Sequence, residues 1–196
     1  MRFLVVGAGA VGGFIAARLV DAGCDVTVLV RPQGAARLRD GGLRIAGPDG
    51  ARVLRPAVAT ADELTSGYDA IVLTVKSEDL DGAMADIEPA VKPPAVIIPF
   101  LNGMAHVQAL TSRFGSAVLG GTLRIATQSE NDGTIRALTP QFDVELGELD
   151  GSPGTRVDRL TAAFKDAGAD VTVPGNIVDA MWASGCSSPA SAPSPR

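Results

Sequence analysis

Six residues near the amino terminus carry the clearest chemical signal in the chain, Gly7-Ala8-Gly9-Ala10-Val11-Gly12. Glycines at the first, third and sixth positions of such a run allow a tight turn, a close approach of phosphate to the backbone, and close packing of a helix on a strand. The phosphate would face free N–H groups at the positive end of the helix dipole. The spacing therefore predicts a site for the pyrophosphate of a dinucleotide, and the alternative is a glycine-rich turn that binds no ligand.

The residue that closes the second predicted strand bears on the kind of dinucleotide. NAD sites place Asp or Glu there to hold the ribose 2′-hydroxyl. This chain has Arg31 instead, and the next carboxylate downstream is Asp40. A planar guanidinium pairs well with a 2′-phosphate, and the sequence shows no acidic neighbour that would repel one. We therefore predict NADP(H) as the cofactor, and the alternative is a solvated arginine at the end of a strand.

Two further polar residues stand at the ends of buried apolar runs. Lys76 follows the run at 70–75, and Asn102 follows the run at 95–101. Ligands of open α/β sheets bind outside the carboxyl ends of the strands, so both side chains are predicted to reach a bound dinucleotide. Taken singly, Lys76 would be a surface lysine and Asn102-Gly103 a turn.

Other residues whose side chains could take part in catalysis or metal binding give weaker signals. His106 is the single histidine, and its position early in a helix predicts a partly exposed surface residue, with catalysis as the alternative. Cys24 is expected to be a small buried side chain rather than a reactive thiol. The two cysteines lack metal-ligand spacing, and no pair of carboxylates indicates acid–base work, so no metal site is predicted.

The elements that must position these residues alternate between strand and helix. The run at 3–6, the helical periodicity from 10 to 22 and the run at 25–30 form one βαβ unit with a right-handed crossover and parallel strands. Residues 41–58 are interpreted as an inserted hairpin with a turn at Pro48-Asp49-Gly50. Further strands are predicted at 70–75, 95–101, 117–126, 134–138, 142–149 and 170–173, and helices at 79–88, 104–114, 155–167 and from 177 onward.

Composition and charge exclude several classes of protein. The chain has 196 residues, 46% hydrophobic and 20% charged, which excludes wholesale disorder. Its net charge of −5 argues against a nucleic-acid binder with a basic surface. No apolar run reaches the ~18 residues of a membrane span. A signal peptide is the alternative interpretation of the amino terminus, but glycines interrupt its apolar region, so a cytoplasmic protein is predicted.

The carboxyl terminus departs from the alternating pattern. Residues 184–196 contain five serines and three prolines and are not expected to continue the helix that residues 177–182 begin. We therefore divide the chain into a nucleotide-binding domain at 1–175, the start of a second, helical domain at 176–183, and a tail at 184–196 that is disordered or frameshifted.

Taken in chain order, these motifs resemble the ketopantoate reductase (2-dehydropantoate 2-reductase) family. The resemblance covers residues 1–182. It is carried by the glycine run at 7–13, Arg31, Val75-Lys76, Leu101-Asn102-Gly103-Met104, Gly120-Gly121-Thr122 and the segment from Asn176 to Trp182. The glycine run alone is shared with many dehydrogenases, whereas the ordered series is far more specific.

The resemblance implies a Rossmann-type α/β fold, a doubly wound and mostly parallel sheet, and NADPH-dependent reduction of 2-dehydropantoate to pantoate on the way to coenzyme A. By position, Gly7, Ala8, Gly9, Ala10, Val11 and Gly12 would hold the pyrophosphate. Arg31 would hold the 2′-phosphate. Lys76, Asn102 and Ala126 would line the cofactor, and Asn102 would also reach the 2-oxoacid substrate.

The chain departs from the family pattern at one position that matters for catalysis. A lysine two residues after the tryptophan acts in the family as general acid on the developing alkoxide. Here Ser184 stands two residues after Trp182, so no catalytic residue is assigned in this chain. The helical substrate domain is also missing from it. A frameshift at codons 183–184 would explain this ending, and a natural fragment is the rival explanation.

These departures leave two other functions open. One is another NADP-dependent 2-oxoacid or hydroxyacid dehydrogenase, and the other is a catalytically inactive NADP(H)-binding fragment. In each case the partner is a small molecule, with no nucleic acid and no membrane. Apolar surface left bare on residues 177–182 predicts self-association, so a homo-oligomer is allowed.

Overall fold

The computed structural model describes residues 1–47 and 50–186. Its strands are Arg2–Val6 (β1), Asp25–Leu29 (β2), Leu43–Gly47 (β3), Gly50–Leu54 (β4), Ala57–Ala59 (β5), Ala70–Leu73 (β6), Val96–Pro99 (β7), Gly120–Ser129 (β8), Ile135–Gly147 (β9) and Asp170–Thr172 (β10). Its helices are Ala10–Asp21 (α1), Pro32–Gly41 (α2), Leu80–Ile87 (α3), Ala105–Phe114 (α4), Thr155–Asp166 (α5) and Ile177–Cys186 (α6).

Five strands form a wholly parallel sheet in the order β5-β2-β1-β6-β7. The chain starts at the central strand β1, winds outward to β2 and β5, and then returns to wind outward through β6 and β7. Beyond β7, the Leu119 N–H donates to the Ile97 carbonyl at 2.9 Å and continues the parallel pairing. This is the strand order of a doubly wound Rossmann sheet, which confirms the predicted fold class.

The central strand β1 shows why these strands are apolar throughout. Phe3 and Val5 pack into the hydrophobic cluster that contains α1 and α5. Leu4 and Val6 pack on the opposite face, in the cluster that contains α3 and α4. All four side chains are buried. Because helices cover both faces of the sheet, no position on β1 can be left polar.

A second sheet packs against α1 on the side away from the parallel sheet. Its order is β10-β9-β3-β4, with β8 pairing antiparallel to β9. The helix and this sheet approach closely, since a Cβ atom at Gly13 would lie 2.1 Å from Ile135 Cδ1. The rings of Phe14 and Phe142 meet edge to face with their centroids 5.2 Å apart. Helix α1 therefore lies between two sheets.

The observed elements differ from the predicted ones in four places. The hairpin exists as β3 and β4, with Pro48-Asp49 of its predicted turn outside the described residues, but the last part of 41–58 is β5, an edge strand of the parallel sheet. Helix α2 was not predicted. The two strands expected at 134–138 and 142–149 are one continuous strand, β9. Helix α6 continues past the predicted break at 184 to Cys186, and the rest of the predicted tail, 187–196, lies outside the described residues.

No helix in the described part of the chain combines the length and the apolar character that crossing a lipid bilayer requires.

Candidate dinucleotide-binding site

The predicted site residues leave the parallel sheet at one common edge. Val6, at the end of β1, is in register with Leu29 of β2 and with Leu73 of β6, and Leu73 is in register with Pro99 of β7. Arg31, Lys76 and Asn102 follow these strand ends by two or three residues. The register therefore brings them to the carboxyl edge of the sheet, where the glycine loop also begins.

The glycine loop has the backbone that a pyrophosphate site requires. Gly7 has φ +97°, a conformation that L side chains rarely adopt. A Cβ atom at Gly12 would lie 2.1 Å from the Gly7 carbonyl oxygen, so the first turn of α1 packs directly on the loop. The first and last glycines of the motif are thus required by the fold itself.

Gly9 differs from these two glycines, and its surroundings show whether the loop has room for the phosphates of a dinucleotide. Its φ is −72°, and a Cβ atom built there would meet no protein atom within 4 Å. Nothing in the protein's own packing demands a glycine at this position. The first turn of α1 carries no acidic residue. An open glycine before an uncharged helix N-terminus fits the approach of a phosphate group.

Thr74 supports the loop and was missed in the sequence. Its Oγ1 donates to the Val6 carbonyl at 2.8 Å, and it lies against the position of Gly12, where a Cβ atom would be 2.3 Å away. The hydroxyl thereby ties the end of β6 to the start of the loop. The only signal in the sequence was one polar residue within an otherwise apolar run.

The surroundings of Arg31 correct one inference from the sequence. Arg31 forms an ion pair with Asp79, which comes from the turn between β6 and α3. The sequence showed no acidic neighbour because Asp79 is 48 residues away along the chain. Lys76 Nζ lies 3.9 Å from Glu78 Oε1 in the same turn. Both cations of the predicted adenosine end therefore face carboxylates.

Several other predicted residues line a cleft of about 720 Å³ next to α1. Val11, Asn102, Ala126 and Ser184 all lie on its wall, although they come from α1, the loop after β7, β8 and α6. Arg31 and Lys76 do not line this cleft. The structure thus divides the candidate residues between the predicted adenosine end at the sheet edge and a cleft next to α1.

The cleft contains polar groups to which the sequence assigned no role in binding. The Thr122 hydroxyl donates to the Glu145 carboxylate at 2.6 Å, and both residues line the wall. Arg124 also lines it, with its Nε 3.5 Å from Asp143 Oδ2. These residues lie on neighbouring strands β8 and β9, so their pairing depends on a register that composition does not reveal.

Ser184 occupies the position at which a general acid was expected. Its Oγ donates to the Met181 carbonyl at 2.9 Å, within its own helix α6. An aliphatic hydroxyl engaged in this way is a poor proton donor compared with an ammonium group. The side chain reaches the cleft but brings no charge to it.

The weaker candidates fall outside the cleft lining. His106 is 3% exposed, so the prediction of a partly exposed surface histidine is wrong. Burial lowers its pKa, which favours the neutral imidazole. Burial also raises the pKa of the half-buried Cys24 thiol. Within residues 1–47 and 50–186, no three His, Cys, Asp or Glu side chains gather closely enough to hold a metal ion.

The fold and the glycine loop are those of a Rossmann-type α/β domain with a dinucleotide-binding motif. The family described as ketopantoate reductase PanE/ApbA matches residues 3–151. The chain therefore belongs to the ketopantoate reductase family.

Individual relatives agree with this assignment, and they also show how much of a family member the chain covers. An uncharacterised oxidoreductase of Bacillus subtilis, YkpB, is 37% identical over 93% of this chain and 60% of its own length. The crystal structure of 2-dehydropantoate 2-reductase from Geobacter metallireducens superposes with a TM-score of 0.84 at 26% identity, over 93% of this chain and 60% of that one. D-mandelate dehydrogenase, solved with NADH and anilino(oxo)acetate, shares the fold with a TM-score of 0.85 at 19% identity, over 95% and 61%. The chain thus spans about 60% of the length of each of these relatives.

Proposed function

We propose that this chain is the nucleotide-binding part of an NADPH-dependent reductase that converts 2-dehydropantoate to pantoate. The observation that carries the proposal is the convergence of the glycine loop with a cleft that contains both Asn102 and position 184. Family membership supports the reaction class, and Arg31 at the end of β2 supports the phosphorylated cofactor.

Each group is assigned a role from the family resemblance together with its place in the fold. The N–H groups of residues 7–12 and the N-terminus of α1 would bind the pyrophosphate. Arg31 would bind the 2′-phosphate, with Lys76 beside it. Val11, Asn102 and Ala126 would line the nicotinamide end, and the Asn102 amide would also orient the 2-oxoacid. The bound cofactor supplies a hydride to the keto carbon of the substrate.

Reduction of a ketone also requires a proton at the carbonyl oxygen. Ser184 is the residue at the family's proton-donor position, and its hydroxyl already donates within α6. We therefore expect this chain to bind NADPH but to turn over 2-dehydropantoate slowly.

The binding site is tested by Gly9→Ala. Because Gly9 has a negative φ and open space around it, the added methyl leaves the fold intact but occupies the path of the pyrophosphate. We expect NADPH affinity, measured by isothermal titration calorimetry, to fall about tenfold or more, a cost of ~1.4 kcal/mol.

Gly82→Ala is the matched control, since Gly82 also has open space around its Cβ position and belongs to α3 rather than to the glycine loop. It should bind NADPH as the unmodified chain does. Equal affinity in the Gly9 and Gly82 variants would remove the loop from the binding site.

The catalytic role of position 184 is tested by Ser184→Lys. An ammonium group on the cleft wall would protonate the developing alkoxide, and general acid catalysis contributes roughly 10²–10⁴-fold. We expect oxidation of NADPH, followed by its absorbance with 2-dehydropantoate present, to accelerate about a hundredfold over the unmodified chain. Ser184→Met, of similar length and without charge, should leave the rate unchanged. Equal rates for the Lys and Met variants would argue that position 184 does not serve as the proton donor.

A second candidate is reduction of another 2-oxoacid. The 37% identical relative is named only as an oxidoreductase, and the cleft holds a carboxylate, Glu145, against which the substrate side chain would have to fit. The same assay with a panel of 2-oxoacids separates the candidates. A faster rate with a 2-oxoacid other than 2-dehydropantoate would select this second function.

A further inference from the structure

Charge is balanced in an unusual way at the adenosine end of the site. Two cations stand there, Arg31 after β2 and Lys76 after β6, and each faces a carboxylate. Both carboxylates, Glu78 and Asp79, come from one 3₁₀ turn, Ser77–Asp79. A site built only to attract a 2′-phosphate would gain nothing from two negative charges at this distance from its cations.

The two carboxylates are not equivalent. Asp79 is hydrogen-bonded to the Arg31 guanidinium, and its side chain is 39% exposed. Glu78 lies 3.9 Å from Lys76 with 76% of its side chain exposed, a looser arrangement. Asp79 also occupies the N-cap position of α3, so the backbone around it is held by a helix. Of the two, Asp79 is the group positioned to influence what Arg31 can bind.

A carboxylate against this arginine has opposite consequences for the two nicotinamide cofactors. It competes with a 2′-phosphate for the guanidinium and repels the phosphate charge. An ionised carboxylate is also a good acceptor for a ribose 2′-hydroxyl, the role that Asp or Glu at the end of the second strand performs in NAD sites. That strand end carries Arg31 here, and the turn after β6 supplies the acid instead.

We propose that Asp79 is a specificity-determining residue that lowers the preference of this site for NADPH and allows NADH to bind. The inference rests on the proposed function, because it takes the nucleotide to bind at this edge of the sheet. It adds that the cofactor preference is set by a pair, Arg31 with Asp79, and not by Arg31 alone. The chain should accordingly bind NADPH less than about tenfold more tightly than NADH.

The test is the ratio of the NADH and NADPH dissociation constants, measured by titration calorimetry on the whole 196-residue chain. The two ligands differ only in the 2′-phosphate, so the ratio isolates the contribution of that group. Asp79→Asn removes the charge while keeping the size of the side chain. We expect the ratio to rise about five- to tenfold in this variant, and the rise to shrink at high salt because the site is open to solvent.

Asp81→Asn is the matched control, since Asp81 is an exposed carboxylate two residues further on, in the first turn of α3. It should leave the ratio within about twofold of the unmodified chain. Arg31→Ala should lower the ratio to near one. In the Arg31→Ala background, Asp79→Asn should raise the ratio less than in the unmodified chain, because the competition for the guanidinium is gone and only the direct effects of the Asp79 charge on the ribose and phosphate remain.

The outcomes separate this inference from the proposed function. If both dinucleotides bind and Asp79→Asn leaves the ratio unchanged, the specificity role is overturned while the binding site stands. If Asp79→Asn raised the ratio of the dissociation constants equally with and without Arg31, competition for the guanidinium would be overturned as the cause. If the unmodified chain binds neither NADPH nor NADH, the proposed function fails and the inference fails with it.

Discussion

His106 is the single histidine of the chain, and α4 carries it into the protein interior with 3% of its surface exposed. Its Nε2 is buried and has no hydrogen-bond partner in the described part of the structure. With no group to stabilise a positive charge, burial lowers the pKa of the imidazole, and the folded protein holds the neutral form. The sequence predicted a surface position for His106, because the residues of one helical turn do not reveal which face of α4 packs against the interior.

Because His106 is buried in its neutral form, we expect the free energy of unfolding to depend on pH in the acid range. An unfolded histidine titrates near pH ~6.5, whereas the folded one titrates lower, so acid favours the unfolded chain. The free energy of unfolding should be independent of His106 above that pH. Below that pH it should fall as the unfolded histidine protonates, until the pH reaches the lowered pKa of the folded imidazole. Urea unfolding at several pH values measures this fall, and His106→Leu should remove it. Parallel curves for the two proteins would contradict a neutral buried histidine.

Among the elements, those with strong local signals were predicted correctly. The unit β1-α1-β2 combines β-branched runs with helical periodicity and a glycine loop whose φ requirement at Gly7 is local. The candidate residues at strand ends could also be found, because the carboxyl edge of a parallel sheet collects them whatever the loop conformations are. That logic predicted Lys76 and Asn102 at this edge, whereas Ala126 and position 184 follow from the family resemblance. The cleft contains Asn102, Ala126 and Ser184 but not Lys76.

The elements that were missed depend on distant partners. Strand β5 is three residues long, and it exists because Thr27, Val28 and Leu29 of β2 pair with it. Helix α2 buries only Ala35 and Leu38, too few apolar residues for a recognisable period. The Arg31–Asp79 pair joins residues from two different crossovers, so the sequence showed the arginine without its counter-charge. Long-range pairing, rather than local preference, produced each of these features.

At the scale of the whole molecule, α6 is an element that is packed only in part. Ile177 and Met181 are buried, and Ile177 packs so closely on β8 and β9 that a Cβ atom at Gly120 would lie 2.7 Å from it. The expected bare apolar face of residues 177–182 is therefore mostly covered. Trp182 is the exception, with 59% of its surface exposed. An exposed indole of this size is a candidate contact between copies of the chain.

We expect self-association through Trp182 that is favoured by salt. The net charge of −5 makes two copies repel one another, and added salt screens this repulsion without weakening the apolar contact. Light scattering should show a mass that rises with protein concentration, together with a blue shift in the fluorescence of the single tryptophan. Trp182→Ser should abolish the concentration dependence of the mass. Leu138→Ser, at a side chain 54% exposed on β9, is the control that should retain it. A constant monomer mass for the unmodified chain at all salt concentrations would show that the exposed indole is not a self-association site.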